Sequence, residues 1–538
     1  MNMTEEFLAA FGFIIATILI VYLLKFIFAA GKRKAINDTC SKSGHYWTPM
    51  DFTEHAYFCA SCKKHMVHGY ECDNCLLKVH DVSCLRVLSA KLLCKVNPTT
   101  CKKDLFNHHW IPGNLGADEF CLVCDELCGE GVGVQDFRCS WCTGVVHTKC
   151  KEKFTEKCDF GPLKRSILPP YAVLARKPGN RNQKMAVVEE VIPTDVDIKD
   201  WKPLIVIVNP KSGSGAGREL LRKFKAHLHP AQVIDVLKSN MTSALRWIDE
   251  HPEIEPRILI AGGDGTICSS LDKIDELTRR IPTAILPLGT GNDLSRVLNW
   301  GKKCDGGIDV PQLMEDIQEA EVMQMDRWTI KIESPKKIPI RLPTNKTLSM
   351  TNYVSVGVDA CVCLGMQNTR DSIPRAMSSR LLNKFLFFTF GTKDVFERVC
   401  RRLNERIELF LDDVQIELPD IEGLVFLNIP FWGAGVKPWD TYEEEHPQKL
   451  NDEMVEVFAV KSSFHIAQMQ VGLATPIRIG QAKKAKLVLK SPGPFPMQSD
   501  GEAWLQTPAE VFIEKKCTTN MLQRTTEVVP PGCGIKFF

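Results

Sequence analysis

The stretch that decides the fold is RILIAGGDGT, residues 257–266. Its first five residues form a short apolar run that stops at a glycine turn, which reads as a strand buried on both faces. Three sister runs surround it: LIVIV (204–208), QVIDVL (232–237) and TAILPL (283–288). Helical stretches are expected between them, near 217–228, 241–250 and 267–279. Strands that alternate with helices predict an α/β doubly wound parallel sheet, here over residues 201–321. Ligands of such sheets bind at the carboxyl ends of the strands. Three glycine-rich turns fall there: VNPKSGSGAG (208–217), AGGDGT (261–266) and PLGTGNDLSR (287–296). Turns of this kind let backbone amides approach phosphates closely. Their spacing fits neither GxGxxG nor GxxxxGK[ST], so a dinucleotide fold and a P-loop ATPase are both unsupported. Asp264 and Asp293 supply charge for a magnesium ion or a ribose.

Toward the C-terminus the pattern turns to β alternation, as in DRWTIKIE (326–333) and YVSVGVDA (353–360). A second, mainly antiparallel β domain is expected over 322–538, with some helix near 375–400. Toward the N-terminus, residues 159–200 read as a linker punctuated by Pro162, Pro169, Pro170, Pro178 and Pro193. Lys164, Arg165, Arg176, Lys177, Arg181 and Lys184 make it basic. It is either a solvated tether or a contact for anionic lipid headgroups.

The chain has 538 residues, enough for several domains. Its net charge of +2 gives no global argument for a nucleic-acid partner. Fifteen of the 22 cysteines crowd between Cys40 and Cys158, which calls for disulfides or metal. The compartment bears on that choice. Phe7–Leu24 is uncharged and just long enough to cross a bilayer, so residues 1–40 are expected to be a membrane helix and spacer. A cleaved signal peptide is disfavoured by the acidic flank at Glu5 and Glu6. A re-entrant hairpin stays open. Lys32, Arg33 and Lys34 place the remainder in the cytosol by the positive-inside rule, and a reducing cytosol favours zinc.

The clearer cysteine module, 108–158, reads His108-x12-Cys121-x2-Cys124-x14-Cys139-x2-Cys142-x4-His147-x2-Cys150-x7-Cys158. Eight N/S ligands make two tetrahedral zinc sites. A looser copy, 45–94, supplies His45, Cys59, Cys62, Cys72, Cys75, His80, Cys84 and Cys94. Both resemble the C1 domain, known for binding diacylglycerol or phorbol esters. That resemblance implies interleaved sites. In the second module these are His108, Cys139, Cys142, Cys158 and Cys121, Cys124, His147, Cys150. In the first they are His45, Cys72, Cys75, Cys94 and Cys59, Cys62, His80, Cys84. About four structural zinc ions are expected, at four ligands each. Neither module shows the apolar tip of phorbol-binding C1 domains.

GGDGT and GTGND together resemble the diacylglycerol kinase family. So do NYVSVGVDA (352–360), SSRLLNK (378–384), LNIPFWGAGVKPW (427–439) and GPFPMQSDGEAW (493–504). The resemblance implies transfer of the γ-phosphate of ATP to diacylglycerol with Mg²⁺, giving phosphatidic acid and ADP. It places the nucleotide against Asn209, Gly213, Gly215, Gly263, Gly265, Thr266, Gly289, Thr290, Asn292 and Asp293, with Asn209 and Asn292 holding the turns or the nucleotide. Asp500 is the expected base, Glu502 the metal neighbour, and Asp264 the third catalytic acid. The competing reading of Asp500-Gly501 is a hairpin turn, which the surrounding resemblance disfavours. Met366-Gln367 departs from a Phe-His pair that many relatives carry. The expected partners are diacylglycerol and membrane lipids, with no nucleic acid. The expected location is the endoplasmic reticulum or plasma membrane. Kinases of other lipid alcohols, and a catalytically silent membrane scaffold, are the alternative functions.

Overall fold

The computed structural model describes residues 36–37, 43–50, 57–96, 106–116, 118–129, 133–176, 187–192, 196, 198–304, 307–334, 345–372, 400–439 and 447–525. It divides into two compact units at Cys158/Asp159.

The first unit holds the two cysteine modules. Each is a small antiparallel sheet: Tyr46–Met50, Gly69–Cys72 and Lys78–Val79 in one, Trp110–Pro112, Phe137–Cys139 and Val145–Val146 in the other. Much of each core is cysteine, with Trp47, Leu77 and Val79 in the first and Val145 and Val146 in the second. Cores this small need staples. The modules touch: Ile111 of the second packs in the core of the first. Asn114 accepts from the Phe58 N–H (2.8 Å) and donates to its carbonyl (2.9 Å). Lys95, buried to 2 % exposure, donates to Ser140 O and lies over the Trp141 ring.

The second unit begins with the parallel strands: β1 (Leu204–Val208), β2 (Val233–Asp235), β3 (Arg257–Gly262) and β4 (Thr283–Pro287). Their order is β2-β1-β3-β4, all parallel. These strands are buried throughout, as their apolar runs require. Helix α1 (Ala216–His227) buries Leu220, Leu221 and Phe224 on one face. Helix α2 (Asp264–Asp275) buries Ile267, Leu271 and Ile274.

The sheet does not stop at residue 321. Strand β5 (Glu321–Glu333) runs antiparallel to the last described strand, which pairs with it from Glu321↔Gln523 to Glu333↔Glu510. That last strand (Ala509–Gln523) also meets β4 at Thr283↔Met521, and its first half meets Lys484–Leu489. The result is one ten-stranded sheet, parallel at one end and antiparallel at the other.

A second, six-stranded antiparallel sheet covers the antiparallel end. It contains β6 (Tyr353–Gly357), β7 (Gly423–Leu427), β8 (Val455–Val460), β9 (Ile477–Ala482), β10 (Phe495–Ser499) and β11 (Glu502–Gln506). Trp328, Ile330 and Ile332 of β5 share one core with Val354, Val356, Leu424, Phe426 and Val457, as in a sandwich. Helix α3 (Val358–Ser372) follows β6 directly, so the alternation read through 360 ends at Gly357. We label the terminal strand (Ala509–Gln523) β12.

Two expectations are corrected. The fold class included an N-terminal membrane helix, but no helix among the described residues is long and apolar enough to cross a membrane. Residues 7–24, on which that expectation rested, lie outside the described residues, as does the helix expected near 375–400. The linker expectation also changes for 161–176. Leu163, Ile167 and Leu168 are buried, and Gln232 at the start of β2 donates to Ser166 O and Leu204 O (both 2.8 Å). Trp201 Nε1 donates to Ile167 O (2.8 Å), so apolar side chains and backbone partners hold this stretch on the sheet. Lys177, Arg181 and Lys184 lie outside the described residues.

Candidate active site

The three glycine turns meet at the carboxyl ends of β1, β3 and β4. Asn209, just after β1, donates from Nδ2 to Thr266 Oγ1 (2.9 Å) and accepts from Lys211 N on Oδ1 (3.0 Å). This ties the first turn to the second. Gly213 and Gly215 both adopt positive φ, 64° and 111°, a region that favours glycine. The second turn touches the third: a β-carbon on Gly263 would lie 3.2 Å from Gly289 Cα. Gly263 itself has φ −92°, so space and not backbone strain accounts for a glycine there. Asn292 takes φ 55° and donates from Nδ2 to Gly289 O (2.8 Å) and Lys302 O (3.1 Å), which fixes the third turn. Thr290 is exposed at its tip.

Carboxylates from both halves of the unit converge on these turns. Asp264 is the first residue of α2, and its Oδ1 accepts from Asn352 Nδ2 (3.3 Å). A β-carbon on Gly291 would lie 3.3 Å from Asp264 Oδ2 and 3.8 Å from Asp293 Oδ2. A β-carbon on Gly265 would lie 2.8 Å from Glu502 Oε1. Asp293 Oδ2 accepts from Ala434 N (3.0 Å), and Arg296 Nε stands 3.6 Å from Oδ1. Burial, then the neighbouring charges of Asp293 and Asp500, push Asp264 up to about 7. Burial also raises Asp293 and Asp500.

Asp500 differs from its neighbours. Its Oδ2 accepts from Thr351 N (2.7 Å), and its Oδ1 accepts from Asn352 N (2.7 Å) and Tyr353 N (3.1 Å). Asp500 and Gly501, at φ 47° and 85°, form the two-residue turn between β10 and β11. The hairpin reading of this dipeptide therefore holds, and the turn delivers Glu502 to Gly265.

The expected ligands of the cysteine modules also come together. His45, Cys72, Cys75 and Cys94 bring their ligand atoms within 4.8 Å of one another, as do Cys59, Cys62, His80 and Cys84. So do His108, Cys139, Cys142 and Cys158, and likewise Cys121, Cys124, His147 and Cys150. These are the four interleaved sets that the C1 resemblance implies. The second nitrogen of three of these histidines is committed to a backbone carbonyl: His45 to Leu92 O, His80 to His65 O, His147 to Leu127 O. That second contact fixes which nitrogen faces the cluster, as metal-bound histidines require.

Residues 203–326 match the diacylglycerol kinase catalytic domain, and residues 349–503 match the diacylglycerol kinase accessory domain. Residues 108–161 match the phorbol ester/diacylglycerol binding domain, or C1 domain. A probable diacylglycerol kinase 3 of Caenorhabditis elegans is 32% identical over 89% of this chain and 64% of its own length. Diacylglycerol kinase 2 of Arabidopsis thaliana is 28% identical over 90% of this chain and 85% of its own. Diacylglycerol kinase theta of Mus musculus is 34% identical over 65% of this chain and 38% of its own. The chain belongs to the diacylglycerol kinase family. It spans less than two thirds of the length of the worm and mouse relatives.

Within this family member the structure adds site residues to which no role was assigned from sequence. Asn352 bridges the halves: its side chain reaches Asp264 and its backbone holds Asp500. Asn428 anchors that segment, donating to Thr351 O (2.6 Å) and Asp326 O (2.8 Å) while accepting from Trp328 Nε1 (2.7 Å). Gln367, on α3, accepts from Ala503 N (3.0 Å), directly beside Glu502. Gln498 accepts from Gly501 N (3.0 Å) and donates to Ser355 Oγ (2.9 Å), which in turn donates to Asp359. The segments carrying these residues were visible as resemblances. Most of their contacts join residues from 77 to 148 apart in the chain, which no local pattern encodes.

Proposed function

We propose that the chain is an ATP-dependent lipid kinase that transfers the γ-phosphate to the free hydroxyl of diacylglycerol, acting at a membrane surface in lipid signalling and phospholipid resynthesis. The observation that carries this reading is the convergence of Asp264, Asp293 and Glu502 on three glycine turns at the strand ends. A transferring phosphoryl group needs a backbone cradle, charge neutralisation and a proton acceptor. The cradle would be the turns at Gly213–Gly215, Gly263–Gly265 and Gly289–Asn292. Neighbouring carboxylates of like charge suit a divalent cation: among the described residues Asp264 makes no ion pair, and Asp293 Oδ1 is buried without a hydrogen bond. Asp293 and Glu502 would hold Mg²⁺, which when bound neutralises charge on the phosphates.

The proton-accepting role expected of Asp500 passes in this reading to Asp264. Three backbone N–H groups occupy the Asp500 carboxylate, and it is buried at the hairpin. Asp264 is half-buried, is held by the Asn352 side chain and the Asn292 backbone N–H, and sits at about 7, near the value that suits a base at physiological pH. Zinc at the four Cys/His sets would be structural, since the modules have little else to hold them.

The test is one assay with the full chain, γ-labelled Mg-ATP and a panel of lipid alcohols in micelles. Diacylglycerol should be the acceptor. Asp264→Asn should lower turnover by about 10²–10⁴-fold with the melt unchanged. Transfer only to another lipid alcohol, or full turnover in Asp264→Asn, would overturn this assignment.

A further inference from the structure

Helix α4 (Ser463–Gln470) buries one face and exposes an apolar one. His465, Ile466 and Met469 face inward, and Ile466 and Met469 pack in one cluster with Trp432 and Phe458. Phe464, Val471 and Leu473 face outward at 68 %, 68 % and 77 % exposure. Phe464 and Val471 are seven residues apart, so they lie on one helical face. Gly472, at φ 75°, turns the chain, and Leu473 N donates to Gln468 O (2.8 Å), which sets Leu473 beside the helix end. Single exposed apolar side chains are ordinary, but three on one short helix and the turn that ends it are a patch.

The patch is fixed and not a frayed end. Ser462 caps the helix by accepting from His465 N (3.2 Å). His465 accepts from Lys461 N on Nδ1 (3.1 Å), and its Nε2 contacts Thr475 O (2.9 Å). The patch is also one loop from the acid cluster. Gln470 Nε2 contacts Gly433 O (3.5 Å), and the next residue, Ala434, donates to Asp293 (3.0 Å). In sequence, Lys461 and Arg478 bracket the segment with no acidic residue between them, and Arg478 lies over the Trp439 ring (5.3 Å).

We infer that the outer face of α4 and the turn after it seat the catalytic unit on an anionic bilayer. Phe464, Val471 and Leu473 enter the interface, and Lys461 and Arg478 meet the headgroups. This deepens the lipid-kinase reading and rests on it. A hydroxyl held at the depth of the headgroups can reach Asp264 only if the protein surface beside Asp293 lies against the membrane. A second copy of the chain is the competing occupant. It would have to match an apolar patch with cationic flanks against the same cationic flanks, which is unfavourable.

The experiment is hydrogen exchange on the full chain with phosphatidylcholine vesicles, with and without phosphatidylserine. Amides of 464–474 should slow by about fivefold or more on the anionic vesicles and less on the neutral ones. In parallel, the triple variant Phe464→Ser, Val471→Ser, Leu473→Ser should lose about tenfold or more of its turnover on vesicle-embedded diacylglycerol. It should keep wild-type turnover on water-dispersed dioctanoylglycerol and a wild-type melt. Unchanged exchange on anionic vesicles overturns the inference, as does full vesicle turnover in the variant. Slowing that follows protein concentration without lipid assigns the face to a second copy and overturns it too. If the wild type phosphorylates no diacylglycerol at all, the kinase reading fails, while the exchange measurement still decides the surface.

Discussion

The cysteine modules and the acid cluster both gather reactive side chains into a few ångströms, yet they do so in opposite ways. Each module draws its ligands from about fifty residues of chain, and the ligands themselves make up much of the core. The acid cluster draws Asp264, Asp293, Asn352, Asp500 and Glu502 from a span of more than two hundred residues. Its scaffold is a pair of sheets with an apolar core of their own. In the first case the site makes the fold. In the second the fold makes the site and tolerates the repulsion it contains. Removing what binds to each should therefore have different consequences.

The largest expected difference is in response to chelation. Stripping metal should unfold the modules, because structural zinc contributes on the order of 10–16 kcal/mol in small domains of this kind. Hydrogen exchange should become fast across 106–158 and stay slow in β1, β3 and β4. Slow exchange in both units after chelation would break the comparison.

Asp500→Asn should show the catalytic unit's dependence on its own hydrogen bonds. A carboxamide offers one acceptor oxygen where three backbone N–H groups now converge. A cost of about 1–3 kcal/mol in stability is expected, read as a lower melt of the second unit. Asp264→Asn, which keeps an acceptor oxygen for Asn352 and relieves the like charge of Asp293 and Asp500, should not lower that melt. Equal melts for the two variants would remove the distinction between strut and base.

The two regions should also answer pH with opposite signs. Burial holds Asp264 at about 7, Asp359 at about 6 and Glu456 at about 8. The folded catalytic unit thus binds protons that the unfolded chain has already released. Its stability should fall as pH rises from 6 to 8, without Mg²⁺ or ATP present. The modules should behave the other way, because acid protonates the thiolates and imidazoles that hold metal. Melts of both units across that range, followed separately, would check the signs.

The smallest effect is expected at Gln367→Ala. One hydrogen bond to Ala503 N would be lost, and with it about 0.5–1.5 kcal/mol of hold on the turn that carries Glu502. Turnover should fall by up to about tenfold, with the fall partly relieved at high Mg²⁺. An unchanged Mg²⁺ dependence would show that Gln367 does not position Glu502.

These contrasts explain how much of the molecule could be read from sequence. The ligand sets were legible because each set lies within one short module and the C1 resemblance prescribes their order. The parallel strands were legible because LIVIV, RILIA and TAILPL are continuous apolar runs, and the structure places them at 204–208, 257–262 and 283–287. The hydrogen bonds that hold Asp500 were not legible. Its motif promised a carboxylate at the site but could not show which atoms would face it, because those belong to residues 351–353. Nor could the sequence show that β12 joins the sheet of β1–β4, since a single pairing at Thr283↔Met521 makes that contact.

That last strand has a consequence for how the protein is made. The four parallel strands are synthesised by residue 287, yet the edge of β4 is covered only by residues near 521. Strand β5 is paired along its whole length by β12, and that partner leaves the ribosome almost two hundred residues later. An open strand edge in a growing chain is an invitation to wrong pairing. The parallel half therefore waits for the final described strand to arrive at the edge of β4. A chain that stops before residue 509 would lose far more than its tail: it would leave the parallel sheet without its closing neighbour and β5 paired only over Trp328–Glu333, by Asn345–Met350.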